Sequence, residues 1–551
     1  MNHSINPETR ARRIGSFLNS TASVVISVGF LLFLLFLTLS SFLLRADCVI
    51  TDSNDEQILF VRTSFWFSLC VTAILILLCL LVHHLNRMNK VRIPLPAYMA
   101  GMVLLVFSFG LKFLLSAQSA PTHDSWIVTR AADLASRGDF TFLNRAYFSN
   151  FPFQLGYVLW SEGWIRLFHL QDNYLPLEIV NLVCLCVAEC ALVDWVRTVT
   201  GKESVARSCC VLFVFCLPPV LFSTFLYGNL PGLCFAALCL SLLCRFARSR
   251  HPVSGLAGAL CAGLAVMLKK NNLILIVAIL LLGGVALVRD ILLHAQEWKA
   301  KEKLKRILPP FFCLALVLSL SILLPGLAQR HYEKRTGNEY GSGVPMICWI
   351  DMGLHEGRSE AGWYSYEYTL GNYYDNNCDA EKTSAAAKGQ IKERLDELWK
   401  NSDLRRDFFA RKLQSMWNEP TGQSIWNVTV RDHYRDMGKL ATALCVTHAD
   451  RTTRFMQCYQ QLLYTLASVG VIGLLLRRKQ YPLSAFSVPL FVLGGLLYHL
   501  LAEAKSQYAI SYMVMLVPLA AIGIEGLYER CKKRKERTAK PDPDAPAEET
   551  P

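Results

Sequence analysis

The chain has 551 residues, 53% of them hydrophobic and 18% charged, with a formal net charge of +13. Windows of about 17–23 apolar residues recur along it, long enough to cross a hydrocarbon core as helices, so a soluble globular protein is excluded. The basic excess gathers at the ends of these windows, which assigns it to membrane topology and excludes nucleic acid as its partner.

The first apolar run, 22–44, is longer than a signal-peptide core and no small-residue cleavage site follows it, so it reads as a retained helix. Further spans are predicted at 65–82, 97–115, 175–196, 207–226, 230–246, 254–268, 273–288, 308–325, 460–476, 483–502 and 507–527, making twelve. The pair 254–268 and 273–288, split by "LKKNN", reads as two spans or as a re-entrant pair. With a cytoplasmic N-terminus, the inside segments "RARR", "NRMNKVR", "RTVTGK", "RFARSR", "EWKAKEKLKR", "RRK" and "ERCKKRKER" each hold at least two basic residues. The short outside connections "RADCVITDSNDEQILFVR", "YGN", "KKNN" and "EAKS" hold two at most. This alternation places both termini in the cytoplasm of a multi-pass cell-membrane protein.

The domain organisation follows. A cytoplasmic segment 1–21 precedes three spans in 22–115, an extracytoplasmic loop 116–174 and six spans in 175–325. An extracytoplasmic α-rich domain, 326–459, separates spans nine and ten; three spans in 460–527 and a tail, 528–551, complete the chain. The tail is basic and then proline-rich and acidic, a composition that favours disorder. The expected fold class is an all-α polytopic membrane protein of about twelve helices. Nineteen cysteines lie mostly inside spans as small apolar fillers. Cys348, Cys378, Cys445 and Cys458 fall in the second outer segment and suffice for two disulfides with three pairings. No cysteine or histidine spacing suggests zinc.

The loop after the third span opens with "APTHDSWIVTRAADLASRGDF". Trp126, Ile127, Ala131, Leu134 and Ala135 share a helical face, and Asp124 stands at the helix start, where a carboxylate serves either as a cap or as a catalytic base. "FQLGYVLWSEGWIRLFHL" follows, with Trp160, Trp164 and Phe168 four residues apart, the pattern of an amphipathic helix lying in the membrane interface. In the second outer segment, "GVPMICWIDMGLHEGRSEAGWYSYEYT" is rich in Gly, Trp and Tyr, so Trp349, Trp363, Tyr364 and Trp417 are either sugar-stacking platforms or core. "NVT" at Asn427 is a glycosylation sequon.

The order of features in the first loop resembles GT-C membrane glycosyltransferases, in particular the protein O-mannosyltransferase and lipid A aminoarabinose transferase group, and more closely its Gram-positive bacterial branch. The resemblance rests on a carboxylate after an early span, "RGDF", the stretch "YFSNFPFQ", the surface helix "LGYVLWSEGWIRLF" and a span beginning "YLPLEIVNLV". It extends to "LKKNNLILIVAILL" and to "LLAEAKSQYAISYMVMLVPLAAIG". The pattern departs from the family at Ser125, where a second acidic residue is usual, near Asn150 and Phe151, where a lysine is usual, and at Gln507, where an arginine is usual.

The resemblance implies transfer of a sugar from a polyprenyl-phosphate donor to an extracytoplasmic acceptor, whether a protein, a wall polymer or a glycolipid. Asp124 takes the role of base, and Lys269, Lys270 and Lys505 the role of cations for the donor phosphate. His123, Arg130, Asn150, Gln154, Glu503, Gln507, Tyr508, Trp349 and Trp363 are the expected substrate-binding residues. Inversion at the sugar carbon follows from direct displacement. No cofactor is expected, and with no second carboxylate beside Asp124 no obligatory metal either. The alternative is a twelve-span transporter or flippase of a lipid-linked saccharide. A major-facilitator protein, however, would carry a long central cytoplasmic connection, and here that connection is only "SRHPVSG". No Walker, GxSxG or HExxH motif is present.

Overall fold

A computed structural model of the chain describes residues 7–51, 55–88, 93–170, 173–294, 300–430 and 436–538. Among the described residues ten helices are long and apolar enough to cross a bilayer: Arg13–Leu43, Phe65–Met88, Leu95–Ala117, Leu175–Thr200, Asn229–Ser249, Lys270–Leu293, Glu302–Thr336, Ala449–Leu476, Leu483–Leu501 and Ser506–Arg534. The fifth predicted span is a pair, Glu203–Val214 and Leu217–Thr224, bent by 55°. Pro218 and Pro219 follow the bend and supply no backbone donors, so the helix does not run straight through. The seventh is the 17-residue helix Pro252–Leu268. Every predicted span thus corresponds to a helix, ten of them of full crossing length.

The fold is all-α in class, with one small sheet added at the connection after the first helix. It is an antiparallel hairpin, Leu44–Ile50 paired with Glu56–Arg62 in the register Leu44↔Arg62 to Ile50↔Glu56. Its side chains alternate as a pleated pair requires. Ala46, Cys48, Ile58 and Phe60 form one face, packed on the fully buried Trp363. The hairpin therefore rests on the segment between residues 337 and 430.

That segment holds the helices Ile347–Leu354, Ala380–Lys400, Ser402–Trp417 and Ser424–Thr429. Two begin at side-chain caps. Asp379 accepts from the backbone N–H groups of Glu381 and Lys382, and Asn401 from those of Asp403 and Leu404, satisfying donors that a helix start leaves free. Trp417 ends its helix inside the bundle, 5.1 Å from Phe33 and 5.3 Å from Tyr512 between ring centroids.

Helix Leu155–Phe168 turns its tryptophans onto the bundle. Trp160 and Trp164 pack beside Val180, Cys184 and Cys234, while Leu167 and Phe168 remain exposed. Glu162 is buried; Tyr332 donates to it at 2.5 Å and Arg335 at 2.8 Å, which pins the helix to the top of Glu302–Thr336. At Gly156 the two backbones nearly touch: a Cβ there would lie 2.1 Å from the carbonyl oxygen of Met267. At the far end of the bundle, Glu525 pairs with Lys202 at 2.7 Å and lies 2.8 Å from the His83 ring, joining two helices to the turn before helix Glu203–Val214.

All nineteen cysteines are free, including the four considered for disulfides. Cys348 packs with Val344 and Ala387, and Cys445 with Phe113 and Met456, so each fills a different core.

Gly156→Ala should lower the midpoint of thermal unfolding in detergent, at a cost of about 1–3 kcal/mol from overpacking. Gly163→Ala on the same helix, where nothing lies within 4 Å of the added carbon, is the control that should hold or raise it, since alanine favours the helix.

Candidate active site

The ends of the helices gather around one cavity of about 430 Å³. Its walls come from the hairpin (Asp55 and Glu56), the start of helix His123–Ser136, the "YGN" turn, the "LKKNN" junction, segment 337–430 and the "EAKSQY" connection.

Asp124 opens into this cavity but does not cap its helix. Thr122 and Ser125 form the capping box, with the Ser125 hydroxyl accepting from the Thr122 N–H at 3.1 Å. The Asp124 carboxylate instead accepts from the Tyr227 hydroxyl at 3.0 Å. Tyr227 in turn accepts from the Gln154 side chain and lies 3.2 Å from the Tyr147 hydroxyl. The carboxylate is exposed to the cavity, yet desolvation by the surrounding protein raises its pKa above the usual value. The Tyr227 hydrogen bond and the charges of Lys505, His123 and Lys269 pull the other way. Burial, reinforced by the charge of Asp124, drives the Tyr227 phenol well up, so it stays a proton donor to Asp124.

Lys269 follows helix Pro252–Leu268, with its ammonium 4.6 Å from the Tyr227 ring centre and 5.3 Å from that of Tyr508. Burial lowers its pKa to about 8, against the pull of Glu503 and Asp124. Glycine makes this approach possible: Gly228 holds φ +78°, and a Cβ there would lie 2.3 Å from the Leu268 carbonyl oxygen. Lys270 points elsewhere, 5.1 Å over Phe153 in an aromatic cluster with Phe151 and Trp349. Lys505 pairs with Glu56 at 2.6 Å, and Gln423 donates to the other Glu56 oxygen at 2.8 Å. Burial opposes the Lys505 charge, but Glu56 and Glu503 outweigh it and the ammonium is held above its ordinary value. Tyr508 donates to Glu503 at 2.7 Å and stacks on His499. Arg358 and Asp55 form an ion pair at the edge of the cavity.

A family described as "conserved hypothetical integral membrane protein" matches residues 18–527. The chain belongs to that family. No curated protein matches the sequence. Among solved structures, arabinosyltransferase EmbB from Mycobacterium smegmatis is similar at a TM-score of 0.31 and 13% identity, over 88% of this chain and 46% of that one. The match thus spans just under half the length of EmbB.

Of the residues singled out in the sequence, the cavity brings together Asp124, Lys269, Lys270, Lys505, His123, Gln154, Glu503, Gln507, Tyr508 and Trp349. Three others lie outside its walls. Arg130 pairs with Asp133 at 2.9 Å along its own helix. Asn150 is buried and donates to Tyr374 at 2.6 Å. Trp363 is core, donating to Ser415 at 2.9 Å, because the hairpin covers it. Trp417 is also core, whereas Tyr364 lines the cavity. Asn427 of the sequon is 2% exposed and stands on the cavity wall. Sequence reasoning missed Glu56, Tyr147, Tyr227, Trp426 and His499. Strand alternation in "LRADCVI" and "EQILFVR" was the one available signal for Glu56. Among the described residues no group of three His, Cys, Asp or Glu side chains is arranged to hold a metal.

A double-mutant cycle on Glu56→Gln and Lys505→Met, read by thermal unfolding, should give a coupling above about 1 kcal/mol, since removing one member of a buried pair strands the other. Additive effects would show that the pair contributes nothing to stability.

Proposed function

We propose that this protein is a membrane glycosyltransferase of GT-C type, transferring a sugar from a polyprenyl-phosphate donor to an acceptor on the outer face of the membrane. One observation carries the reading: the Asp124 carboxylate and the Lys269 and Lys505 ammonium groups share a single cavity at the helix ends, within electrostatic reach of one another. That is the minimum equipment for displacement at a phosphorylated sugar carbon. The basic-residue asymmetry supports an outward-facing cavity.

In this reading Asp124 accepts the proton of the acceptor hydroxyl as its oxygen attacks the anomeric carbon. The bond from that carbon to the phosphate oxygen breaks, and its electron pair leaves with the phosphate. The lysines stabilise the charge gathering there. Attack opposite the departing group inverts the configuration. The raised pKa of Asp124 makes it a stronger base than a solvated aspartate, and Tyr227 fixes the orientation of its carboxylate. The aromatic cluster around Lys270 gives the apolar end of the donor a place to lie beside a cation.

Sugar transfer in proteoliposomes, from a panel of radiolabelled polyprenyl-phosphate sugars, tests the proposal. Asp124→Asn keeps an oxygen for Tyr227 and should cost about a hundredfold or more in rate. Equal transfer by variant and wild type would remove Asp124 from the chemistry. The second test is the pH profile of kcat/KM, which reports the free enzyme. Lys269 loses its proton as pH rises through about 8, so activity should fall on that side. Lys269→Arg, whose guanidinium does not titrate, should move the alkaline limb upward. An unmoved limb would assign it to another group.

A further inference from the structure

One wall of the cavity takes no part in the chemistry above. It is built from Thr122 and His123 at the start of the Asp124 helix and from Trp426 and Asn427 on helix Ser424–Thr429. The His123 and Trp426 rings are nearly parallel, 15° apart in plane with centroids at 5.9 Å. Trp426 and Asn427 are 8% and 2% exposed, yet Trp426 Nε1 and Asn427 Nδ2 have no hydrogen-bond partner. A buried donor without an acceptor is costly, and one on a cavity wall is open to completion by a ligand. The wall is also held rigidly. The Glu419 carboxylate accepts from the Thr421 N–H at 2.9 Å and the Gln423 N–H at 2.7 Å, fixing the turn that leads into the helix.

Resting on the glycosyltransferase reading, we infer that this wall is the acceptor subsite and that it takes a neutral carbohydrate. The chemistry narrows the class. Apart from Asp124 the wall carries no carboxylate, lysine or arginine, and its one basic side chain, His123, lies parallel to the Trp426 ring rather than in a cationic cluster for a phosphorylated acceptor. Its two unfilled groups are donors, whereas an ammonium-bearing acceptor needs acceptors. A serine or threonine of a protein could meet both donors with its hydroxyl and a backbone carbonyl, but it brings no apolar C–H face broad enough for two ring planes. A sugar offers several hydroxyl oxygens together with an apolar C–H face for the indole and imidazole planes. Its attacking hydroxyl then lies beside Asp124, the neighbour of His123 in the chain. The buried place of Asn427 gives the "NVT" triplet a use other than carrying a glycan.

The test uses the full chain in lipid nanodiscs, with Trp426→Phe, which keeps a ring and removes the donor, and Asn427→Ala. Binding is measured calorimetrically for mannotriose, maltotriose and arabinotriose, for a serine- and threonine-containing hexapeptide, and separately for undecaprenyl phosphate. At least one trisaccharide should bind. Each variant should weaken it about tenfold, the scale of a lost buried hydrogen bond, and leave undecaprenyl phosphate affinity unchanged. Failure of every trisaccharide to bind, or tighter binding of the peptide, would overturn the inference. Equal weakening of undecaprenyl phosphate would also overturn it, by assigning the wall to the donor. Should the wild type bind trisaccharide through these residues yet transfer no sugar, the carbohydrate site stands and the glycosyltransferase reading falls.

Discussion

A bilayer offers the backbone no water, so irregular chain is tolerated only at helix ends or inside protein. That constraint locates the cavity. The turn before Asp124, the "YGN" turn, the "LKKNN" junction and the "EAKSQY" connection are all places where a helix stops, and all four line the same space. Each break brings polar side chains to the cavity wall. The hairpin and residues 337–430 then cover what the breaks leave open. Trp363 under the hairpin and Trp417 against Phe33 show that this cover is packed onto the bundle rather than tethered to it.

Asp124, Lys269 and Lys505 each depend on neighbours within the cavity. Asp124 is destabilised as an anion by its surroundings and restored by Tyr227 and the nearby cations. Lys269 is weakened as a cation by burial and supported by Glu503 and Asp124. Lys505 is held by Glu56. Neutral phenols stand between these charges: Tyr227 hydrogen-bonds Asp124 and faces Lys269, and Tyr508 does the same for Glu503 and Lys269. The arrangement keeps opposite charges close without letting Asp124 and Lys269 neutralise each other in a direct ion pair.

The sequence carried the bundle well, because the bilayer imposes a length and an apolar composition that can be counted residue by residue. Asp124, Lys269 and Lys505 were also legible, since charge beside an apolar run is conspicuous. The tyrosines were not. Tyr227 lies in a three-residue connection that reads as a simple turn, and its importance comes from Gly228, which lets the turn close onto Leu268. Of the aromatics read as sugar platforms or core, Trp363 and Trp417 are core, because aromatic composition does not reveal which side of a segment is covered. Arg130 pairs with Asp133 on its own helix, whereas Asn150 is taken up by Tyr374 from segment 337–430, a long-range contact that no sequence pattern announces. Glu56 was hidden by treating a short connection as featureless.

The Glu56–Lys505 pair joins the first connection of the chain to the last. Asp124 and Lys269 arrive between them. The cavity is therefore complete only when the final hairpin of helices has entered the membrane, and a ribosome-bound fragment lacking it holds the carboxylate but neither Lys505 nor Tyr508. Assembly itself acts as a safety catch: no finished cavity exists before the helices Leu483–Leu501 and Ser506–Arg534 are in place.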